Sequence, residues 1–203
     1  MTNFSYRLKS CHFQLNLSFN LTIFIHIGVC KLILENIDEK VEAEIPQDDH
    51  GKTPLHYAAE SGHSDVYKLY LKYLKEKKYD NNKDYKSRDL ETTKRRIKNP
   101  QNPEDFYGMT PLHYAATNGQ KDLCRVILEN VQEKNPGDSE GITPLHNAAR
   151  NGHSEVCQLI LENVQEKNPK DGNGLTPLYF ANENGHWNVQ IAFSNFNVIL
   201  NDF

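Results

Sequence analysis

The string Thr53-Pro54-Leu55-His56 recurs as Thr110-Pro111-Leu112-His113 and as Thr143-Pro144-Leu145-His146, and a close variant follows as Thr176-Pro177-Leu178-Tyr179. Two of the three intervals between these threonines are 33 residues, and the third is 57, which is 33 plus an insertion of 24. A fixed period of this length indicates a repeat protein, in which each repeat is one supersecondary unit. We number the four units 1 to 4 by their threonines.

Each unit is predicted to begin with a tight turn that leads into a helix. An aspartate stands five residues before each threonine and a glycine two residues before it: Asp48, Asp105, Asp138, Asp171, and Gly51, Gly108, Gly141, Gly174. Aspartate hydrogen-bonds nearby backbone and glycine accepts positive φ, so both suit a turn. The threonine is then a helix N-cap, and the proline after it takes the first helical position, where no backbone donor is needed.

Two helices are predicted in each unit. The first is short, because a glycine recurs nine residues after each threonine, where it can end a helix in the left-handed conformation: Gly62, Gly119, Gly152 and Gly185. The second has a predicted buried face at Val66, Leu69 and Leu71 and at the equivalent positions of the next two units, Leu123, Val126, Leu128, Val156, Leu159 and Leu161. One helix pair does not cover such a face alone, so neighbouring units are expected to stack.

The motif and the 33-residue period resemble those of the ankyrin-repeat family. The resemblance implies an all-α solenoid of stacked helix-turn-helix units with short β-hairpin fingers. It implies a non-enzymatic scaffold or adaptor that binds another protein through the concave surface of fingers and first helices, with no cofactor and no small-molecule substrate. It also implies structural roles for His56, His113 and His146, which would bond within the turn and between units. Tyr179 departs from this pattern.

The predicted organisation divides the 203 residues into seven segments. An irregular segment (1–25) and a partial repeat (26–48) precede unit 1 (49–74). A basic insertion (75–104) separates it from units 2 (105–137) and 3 (138–170), and a degenerate repeat (171–203) follows. These segments take up the whole sequence, so we expect no separate enzymatic domain. The two ends are either atypical capping repeats or artefacts of the gene model.

Charge is distributed unevenly along the chain. Residues 75–98 hold ten Lys or Arg and five Asp or Glu, a net charge of +5, whereas the total is −4 and the rest of the chain therefore carries −9. The insertion lacks a sustained apolar period, and we interpret it as a solvated loop. Its cluster Lys94-Arg95-Arg96-Ile97-Lys98 leaves two alternatives open, a nuclear-import or docking signal and a direct nucleic-acid contact.

The cysteines are predicted to be free thiols in a reducing compartment. Cys30, Cys124 and Cys157 occupy the same position of successive second helices, and equivalent positions of stacked helices lie about 8 to 10 Å apart. A disulfide needs Cα atoms within about 7 Å. Zinc would require paired short spacings such as C-x-x-C, which the sequence lacks. The repeated histidines are spaced too widely to share one ion.

No catalytic motif is present, neither a phosphate-binding loop nor a G-x-S-x-G or H-E-x-x-H pattern. The stretch from Phe13 to Cys30 is interrupted by polar residues, so neither a membrane span nor a signal peptide is predicted. We therefore expect a monomeric protein without catalytic or metal-binding residues. Its expected compartment is the cytoplasm, with the nucleus as the alternative.

Positions that vary between units at the fingers and along the exposed side of the first helix are the predicted partner contacts, by the family resemblance. They are Lys52, Tyr57, Phe106, Tyr107, Met109, Tyr114, Ile142, Asn147, Arg150, Leu175, Phe180 and Trp187. Exposed aromatic and Met side chains are enriched in binding patches. Phe106, Tyr107 and Met109 are the predicted hot spot, unless they pack as a local cover beside the insertion.

Two other functions remain open: a fragment of a larger effector such as a channel, kinase or ubiquitin ligase, and a nuclear regulator acting through the insertion.

Overall fold

The computed structural model describes residues 47–76 and 102–198. The predicted irregular segment, the partial repeat with Cys30 and nearly all of the insertion lie outside these residues. Within them the chain forms eight α-helices in four pairs, one pair in each unit. They are α1 Pro54–Glu60, α2 Ser64–Glu76, α3 Pro111–Thr117, α4 Lys121–Asn130, α5 Pro144–Arg150, α6 Ser154–Asn163, α7 Pro177–Glu183 and α8 Trp187–Ser194.

The four units stack side by side. The first helices α1, α3, α5 and α7 pack in one row and the second helices α2, α4, α6 and α8 in another. One apolar core runs between the rows, formed by the alanine pairs and the motif leucines of the first helices and the buried faces of the second helices. The predicted all-α stack of helix-turn-helix units is therefore confirmed. None of these helices in the two described ranges is long and apolar enough to cross a membrane.

The fingers are turns, and the predicted β-hairpins are absent from residues 47–76 and 102–198. In unit 1 the Asp48 N–H donates to the Lys52 carbonyl (3.0 Å) and the Gly51 N–H to the Asp48 carbonyl (3.0 Å). The Asp48 carboxylate then accepts the N–H groups of His50 (2.9 Å) and Lys52 (2.8 Å). The Asp48 side chain thus satisfies two backbone donors of its own turn.

The glycine after each first helix has a second role besides its backbone conformation. Gly119 has φ of +67°, which agrees with the predicted helix-ending role. A Cβ at Gly119 would also lie 2.6 Å from Nδ1 of His153 in the next unit. The His153 ring is placed there because its Nε2 donates to the Thr117 carbonyl (2.9 Å). The glycine therefore admits a side chain that joins units 2 and 3.

The buried face of the second helix differs from the predicted one. In α2 the buried positions are Val66, Tyr67, Tyr70 and Leu71, whereas Leu69 is only partly buried. At 100° per residue, these four buried positions span 140° of the helix, and Leu69 lies 60° outside them. Unit 2 repeats this arrangement with Leu123, Cys124, Ile127 and Leu128 buried and Val126 partly exposed. The prediction was wrong at Leu69 and Val126, which lie outside this face, whereas in unit 3 all three predicted positions, Val156, Leu159 and Leu161, are buried.

The last unit completes the core with a different residue set. Phe193 is fully buried at the position of Ile160, and Val189 is fully buried at that of Val156. Ser194 is exposed where unit 3 has Leu161. Trp187 and Ile191, by contrast, are 64% and 52% exposed on α8. The degenerate unit is thus folded and closes the core.

Candidate functional site

Successive fingers are joined by backbone hydrogen bonds. The Phe106 N–H donates to the His50 carbonyl (2.9 Å), and the Ser139 N–H donates to the Tyr107 carbonyl (3.0 Å). The Gly172 N–H donates in the same way to the Glu140 carbonyl (2.8 Å). Each bond joins the same two positions of neighbouring units. The fingers therefore form one continuous edge rather than four independent loops.

The motif histidines also connect neighbouring units, as the resemblance implied. In unit 2 the Thr110 N–H donates to Nδ1 of His113 (2.9 Å), and the Thr110 hydroxyl lies 3.0 Å from the same nitrogen. On the other side of the ring, Nε2 of His113 lies 3.0 Å from the carbonyl oxygen of Ile142 in unit 3. A backbone N–H only donates and a carbonyl only accepts, so the ring is neutral and protonated on Nε2. His56 and His146 contact the Met109 and Leu175 carbonyls in the same way (3.0 and 3.2 Å).

Burial sets the charge state of these imidazoles. His56 and His113 are fully buried. Desolvation lowers the pKa of each to about 4, although their carbonyl partners and nearby aspartates act in the opposite direction. Burial lowers the pKa of His146 as well. The histidines are therefore neutral structural groups at neutral pH and have no free lone pair for a metal.

The first helices present an outward row at the fourth residue after each threonine, formed by Tyr57, Tyr114, Asn147 and Phe180. The Tyr57 hydroxyl donates to Oδ2 of Asp48 (2.5 Å), and the Tyr114 hydroxyl donates to Oδ2 of Asp105 (2.7 Å). Burial raises the pKa of the Asp48 carboxyl, but the hydrogen bonds from Tyr57 and the backbone outweigh it, so this pKa lies below its usual value. In units 1 and 2, the aspartate that closes the finger thus also fixes the tyrosine ring of the first helix.

Cationic side chains lie over this aromatic row. Nζ of Lys52 is 4.3 Å from the Tyr114 ring centroid and 5.5 Å from that of Tyr57, and it pairs with Glu60 (3.2 Å). The Arg150 guanidinium is 4.2 Å from the Phe180 ring centroid. The outward surface therefore combines aromatic faces with two cationic side chains, of which Lys52 is paired with Glu60.

The predicted hot spot divides into two kinds of residue. Tyr107 is 56% exposed at the finger tip of unit 2, and Met109 is partly exposed at its base. Phe106 is 49% exposed, but its ring lies against Gly51, where a Cβ would collide with it. Phe106 therefore also covers the preceding finger. Tyr107 is the more accessible member of the group.

Three predicted contact residues are not where the prediction placed them. Ile142 and Asn147 are each 8% exposed, so the expectation that they are exposed is wrong. Asn147 is shorter than the aromatic residues at its position in neighbouring units and so lies below their level. Trp187 is exposed, but as the first residue of α8 it belongs to a second helix and is not on the finger and first-helix surface. Leu175 and Phe180 do lie on that surface and are partly buried.

Sequence reasoning missed a Lys-Asn pair that precedes the fingers of units 3 and 4. Oδ1 of Asn135 accepts the Leu145 N–H (3.0 Å), and Oδ1 of Asn168 accepts the Leu178 N–H (3.3 Å). Lys134 donates to the carbonyls of Leu128 and Val131 at the end of α4, and Lys167 does the same after α6. The repeated Lys-Asn-Pro at 134–136 and 167–169 was the available signal. Asn102 has the same register in unit 2, but its buried Oδ1 has no hydrogen-bond partner in the described part of the chain.

The two cysteines in the described part of the chain lie in the core. Cys124 and Cys157 are free and fully buried, as predicted. Burial raises the pKa of the Cys124 thiol to about 12 and raises that of Cys157 as well. No three His, Cys, Asp or Glu side chains within residues 47–76 and 102–198 are arranged to hold a metal ion.

Comparison with known proteins agrees with this architecture. A family model described as ankyrin repeats in three copies matches residues 82–171 and 130–202, and a single ankyrin-repeat model matches residues 50–77. No individual curated protein matches the chain significantly. Ankyrin repeats are in general protein–protein interaction modules, and proteins built from them are typically not enzymes. Because the models cover more than half of the sequence, the chain belongs to the ankyrin-repeat family.

Proposed function

We propose that this protein is a non-enzymatic adaptor that binds one protein partner through the surface formed by its fingers and first helices. The observation that carries the proposal is the contrast between two sets of positions. The repeated Asp, Thr, His and Gly residues form the hydrogen bonds and turns that hold each unit together and join it to the next one; in unit 4 Tyr179 replaces the histidine. The positions between them carry Tyr107, Met109, Tyr114, Leu175 and Phe180, which remain exposed or partly exposed.

The composition of this surface suits a protein partner. Aromatic, Met and Arg side chains are enriched at interfaces, and a few of them usually carry most of the binding energy. The rings of Tyr57 and Tyr114 are fixed by their bonds to Asp48 and Asp105. Fixed side chains lose little entropy on binding, so a rigid surface of this kind favours affinity. The adaptor acts as a monomer in the cytoplasm under this proposal.

Affinity purification with the full chain, followed by mass spectrometry, is the first experiment. The captured protein is then measured against two double variants. Tyr107→Ala with Leu175→Ala removes side chains from the proposed surface, and Arg125→Ala with Gln158→Ala removes exposed side chains from the second helices as a matched control. We expect the first pair to weaken binding by at least about 2 kcal/mol and the second to leave it unchanged.

Melting temperatures of all variants must accompany the affinities. Tyr107 is exposed, so its loss is expected to leave the fold intact, whereas Phe106→Ala is expected to cost some stability because its ring covers Gly51. Equal capture by both double variants would refute the proposed surface. Capture lost only in the control pair would place the partner on the second helices.

A further inference from the structure

The finger of unit 2 exposes two aromatic rings, whereas the fingers of the other units contain no Phe, Tyr or Trp. Phe106 and Tyr107 are 49% and 56% exposed. The residues at these two positions of the other fingers are small, polar or charged: Asp49, His50, Ser139, Glu140, Gly172 and Asn173. Because the Phe106 ring covers Gly51 of the preceding finger, Tyr107 has the larger surface for a partner.

Three exposed carboxylates flank this aromatic pair. Asp49 lies beside the backbone hydrogen bond that joins the fingers of units 1 and 2, and Glu140 lies beside the one that joins those of units 2 and 3. Glu104 belongs to the finger of unit 2 itself. None of the three carboxylate groups forms an ion pair with another residue in the described part of the chain. Their charge is therefore available to a partner.

The fingers of units 1 to 3 are acidic as a set. Residues 47–52, 104–109 and 137–142 contain six Asp or Glu and one lysine, a net charge of −5. That lysine, Lys52, is paired with a glutamate of α1 (3.2 Å). Residues 170–175 in unit 4 hold one Lys and one Asp and add no net charge. The acidic part of the finger edge is therefore centred on unit 2, which carries the rings.

The first helices show how this protein combines rings with cations. The Arg150 guanidinium lies 4.2 Å from the Phe180 ring centroid. No cationic side chain in the described ranges lies over the Tyr107 ring. An arginine can stack on an aromatic ring and bond a carboxylate with the same planar group, whereas a lysine ammonium acts as a point charge. The finger of unit 2 thus offers a ring and carboxylates to a cation from outside.

We propose that the finger of unit 2 binds a basic segment of the protein partner, in which an arginine stacks on the Tyr107 ring and pairs with an exposed carboxylate of the finger edge. This inference rests on the proposed function and specifies the chemistry of the partner. Opposite charges on the two surfaces also steer the partner toward the fingers, so added salt should slow association. Nucleic acids and anionic membranes are disfavoured, because their charge has the same sign as that of the fingers.

Peptides of defined charge test the proposal without a known partner. The full ¹⁵N-labelled chain is titrated by NMR at low salt with an octapeptide of alternating Arg and Gly, and with octapeptides in which Lys or Glu replaces Arg. We expect saturable shifts of the backbone amides of residues 104–109 with the arginine peptide, about threefold weaker binding of the lysine peptide, and no binding of the glutamate peptide. Shifts spread over the whole protein, or equal binding of the arginine and lysine peptides, would overturn the proposal.

Neutral substitutions of similar shape test the carboxylates. The finger variant removes three exposed charges by Asp49→Asn, Glu104→Gln and Glu140→Gln. The matched control removes three exposed charges from α4 and from the segments that follow α4 and α6, by Glu129→Gln, Glu133→Gln and Glu166→Gln. We expect the arginine peptide to bind at least about tenfold more weakly to the finger variant and less than about threefold more weakly to the control. Equal losses would show that net charge alone attracts the peptide and would refute the site.

Replacement of the ring separates stacking from charge. Tyr107→Leu keeps an apolar side chain at an exposed position, so the fold should be unaffected. The preference for arginine over lysine should disappear in this variant, because the lysine peptide gains little from the ring. A preference of unchanged size would contradict the stacking contact.

The basic insertion of the same chain is the competing occupant. Its cluster is neutralised in the full chain by Lys94→Gln, Arg95→Gln, Arg96→Gln and Lys98→Gln. We expect the affinity for the arginine peptide to rise by less than about threefold, since exposed charges beyond the contact are screened by salt. A rise of more than about tenfold would mean that the insertion occupies the fingers and would overturn the assignment to a partner.

Capture of the partner separates this inference from the proposed function. If Tyr107→Ala with Leu175→Ala abolishes capture but the finger variant with three neutralised carboxylates does not, the surface is correct and the basic contact is wrong. If the arginine peptide binds at the fingers but neither variant affects capture, the basic site exists and the proposed function fails. Loss of capture in both variants supports both.

Discussion

The imidazole of His113 connects the N-terminus of its own helix, through Thr110, with the carbonyl of Ile142 in the next unit. A ring with both nitrogens engaged has no way to accept a proton without losing a bond. The sequence has these histidines at the same position of units 1 to 3, and the family resemblance implied a structural role for them. It did not reveal the identity of the carbonyl, which depends on how two units stack.

Acid should therefore unfold the stack through its histidines. The folded pKa of His56 and His113 is about 4, against about 6.5 in an unfolded chain, so the unfolded state takes up protons first as pH falls. Stability should be full above pH 6.5 and should fall between pH 6.5 and 4, by on the order of 2 to 3 kcal/mol per histidine. Urea midpoints across this range provide the measurement. The variant His113→Gln should show a shallower decline, and an identical decline would contradict the assignment.

The N-caps allow a comparison between two units. Thr143 contacts both the backbone N–H and Nδ1 of His146, whereas Thr176 accepts only the Tyr179 N–H (3.2 Å). We expect Thr143→Ala to destabilise the protein by about 0.5 to 2 kcal/mol and Thr176→Ala to cost less. Urea denaturation of both variants decides the matter, and equal losses would mean that the histidine adds nothing to the cap.

At the scale of elements, the helices were predictable and their rotation was not. The motif located each first helix because threonine, proline and glycine act locally on the backbone. The buried face of the second helix depends on where its neighbours lie, and so Tyr67 and Tyr70 were missed while Leu69 was wrongly included. The same limit applies to the surface: Asn147 was named as a contact, but its depth follows from the rings of adjacent units.

The turn between the two helices of a unit gives a matched pair of glycines. Gly119 and Gly185 have nearly the same φ, +67° and +70°, but only Gly119 faces a ring, that of His153. We expect Gly185→Ala to cost about 1 to 2 kcal/mol for its backbone strain. Gly119→Ala should cost about 1 kcal/mol more, because it displaces His153 from the Thr117 carbonyl.

A double-mutant cycle isolates the contribution of the ring. In a His153→Ala background, the cost of Gly119→Ala should fall to that of Gly185→Ala, since no ring remains to be displaced. Chemical denaturation of the four proteins gives the coupling energy. An unchanged cost of Gly119→Ala in that background would show that the glycine acts through its backbone alone.

At the scale of the whole molecule, unit 1 stacks on unit 2 as the later units stack on one another. The His56 ring and the Met109 carbonyl are separated by 53 residues, whereas His113 and the Ile142 carbonyl are separated by 29, yet both contacts measure 3.0 Å. The additional 24 residues therefore leave this contact unaltered. Stacking in a solenoid is a nearest-neighbour property, so it depends little on the length of the connection.

Deleting residues 77–100 tests this independence, since it joins Glu76 to Gln101 and restores the 33-residue period. We expect the shortened chain to fold and to gain up to about 2 kcal/mol, because closing a shorter loop costs less entropy. Calorimetry on both chains measures the difference. A substantial loss of stability would instead show that the insertion supports the stack.

The unaltered contact between His56 and Met109 has a practical consequence for protein engineering. The connection between units 1 and 2 carries 24 extra residues without altering the contact between these units, so we expect it to tolerate an inserted sequence. A fluorescent reporter or an affinity tag placed there would report on the protein while both the finger edge and the termini stay unmodified.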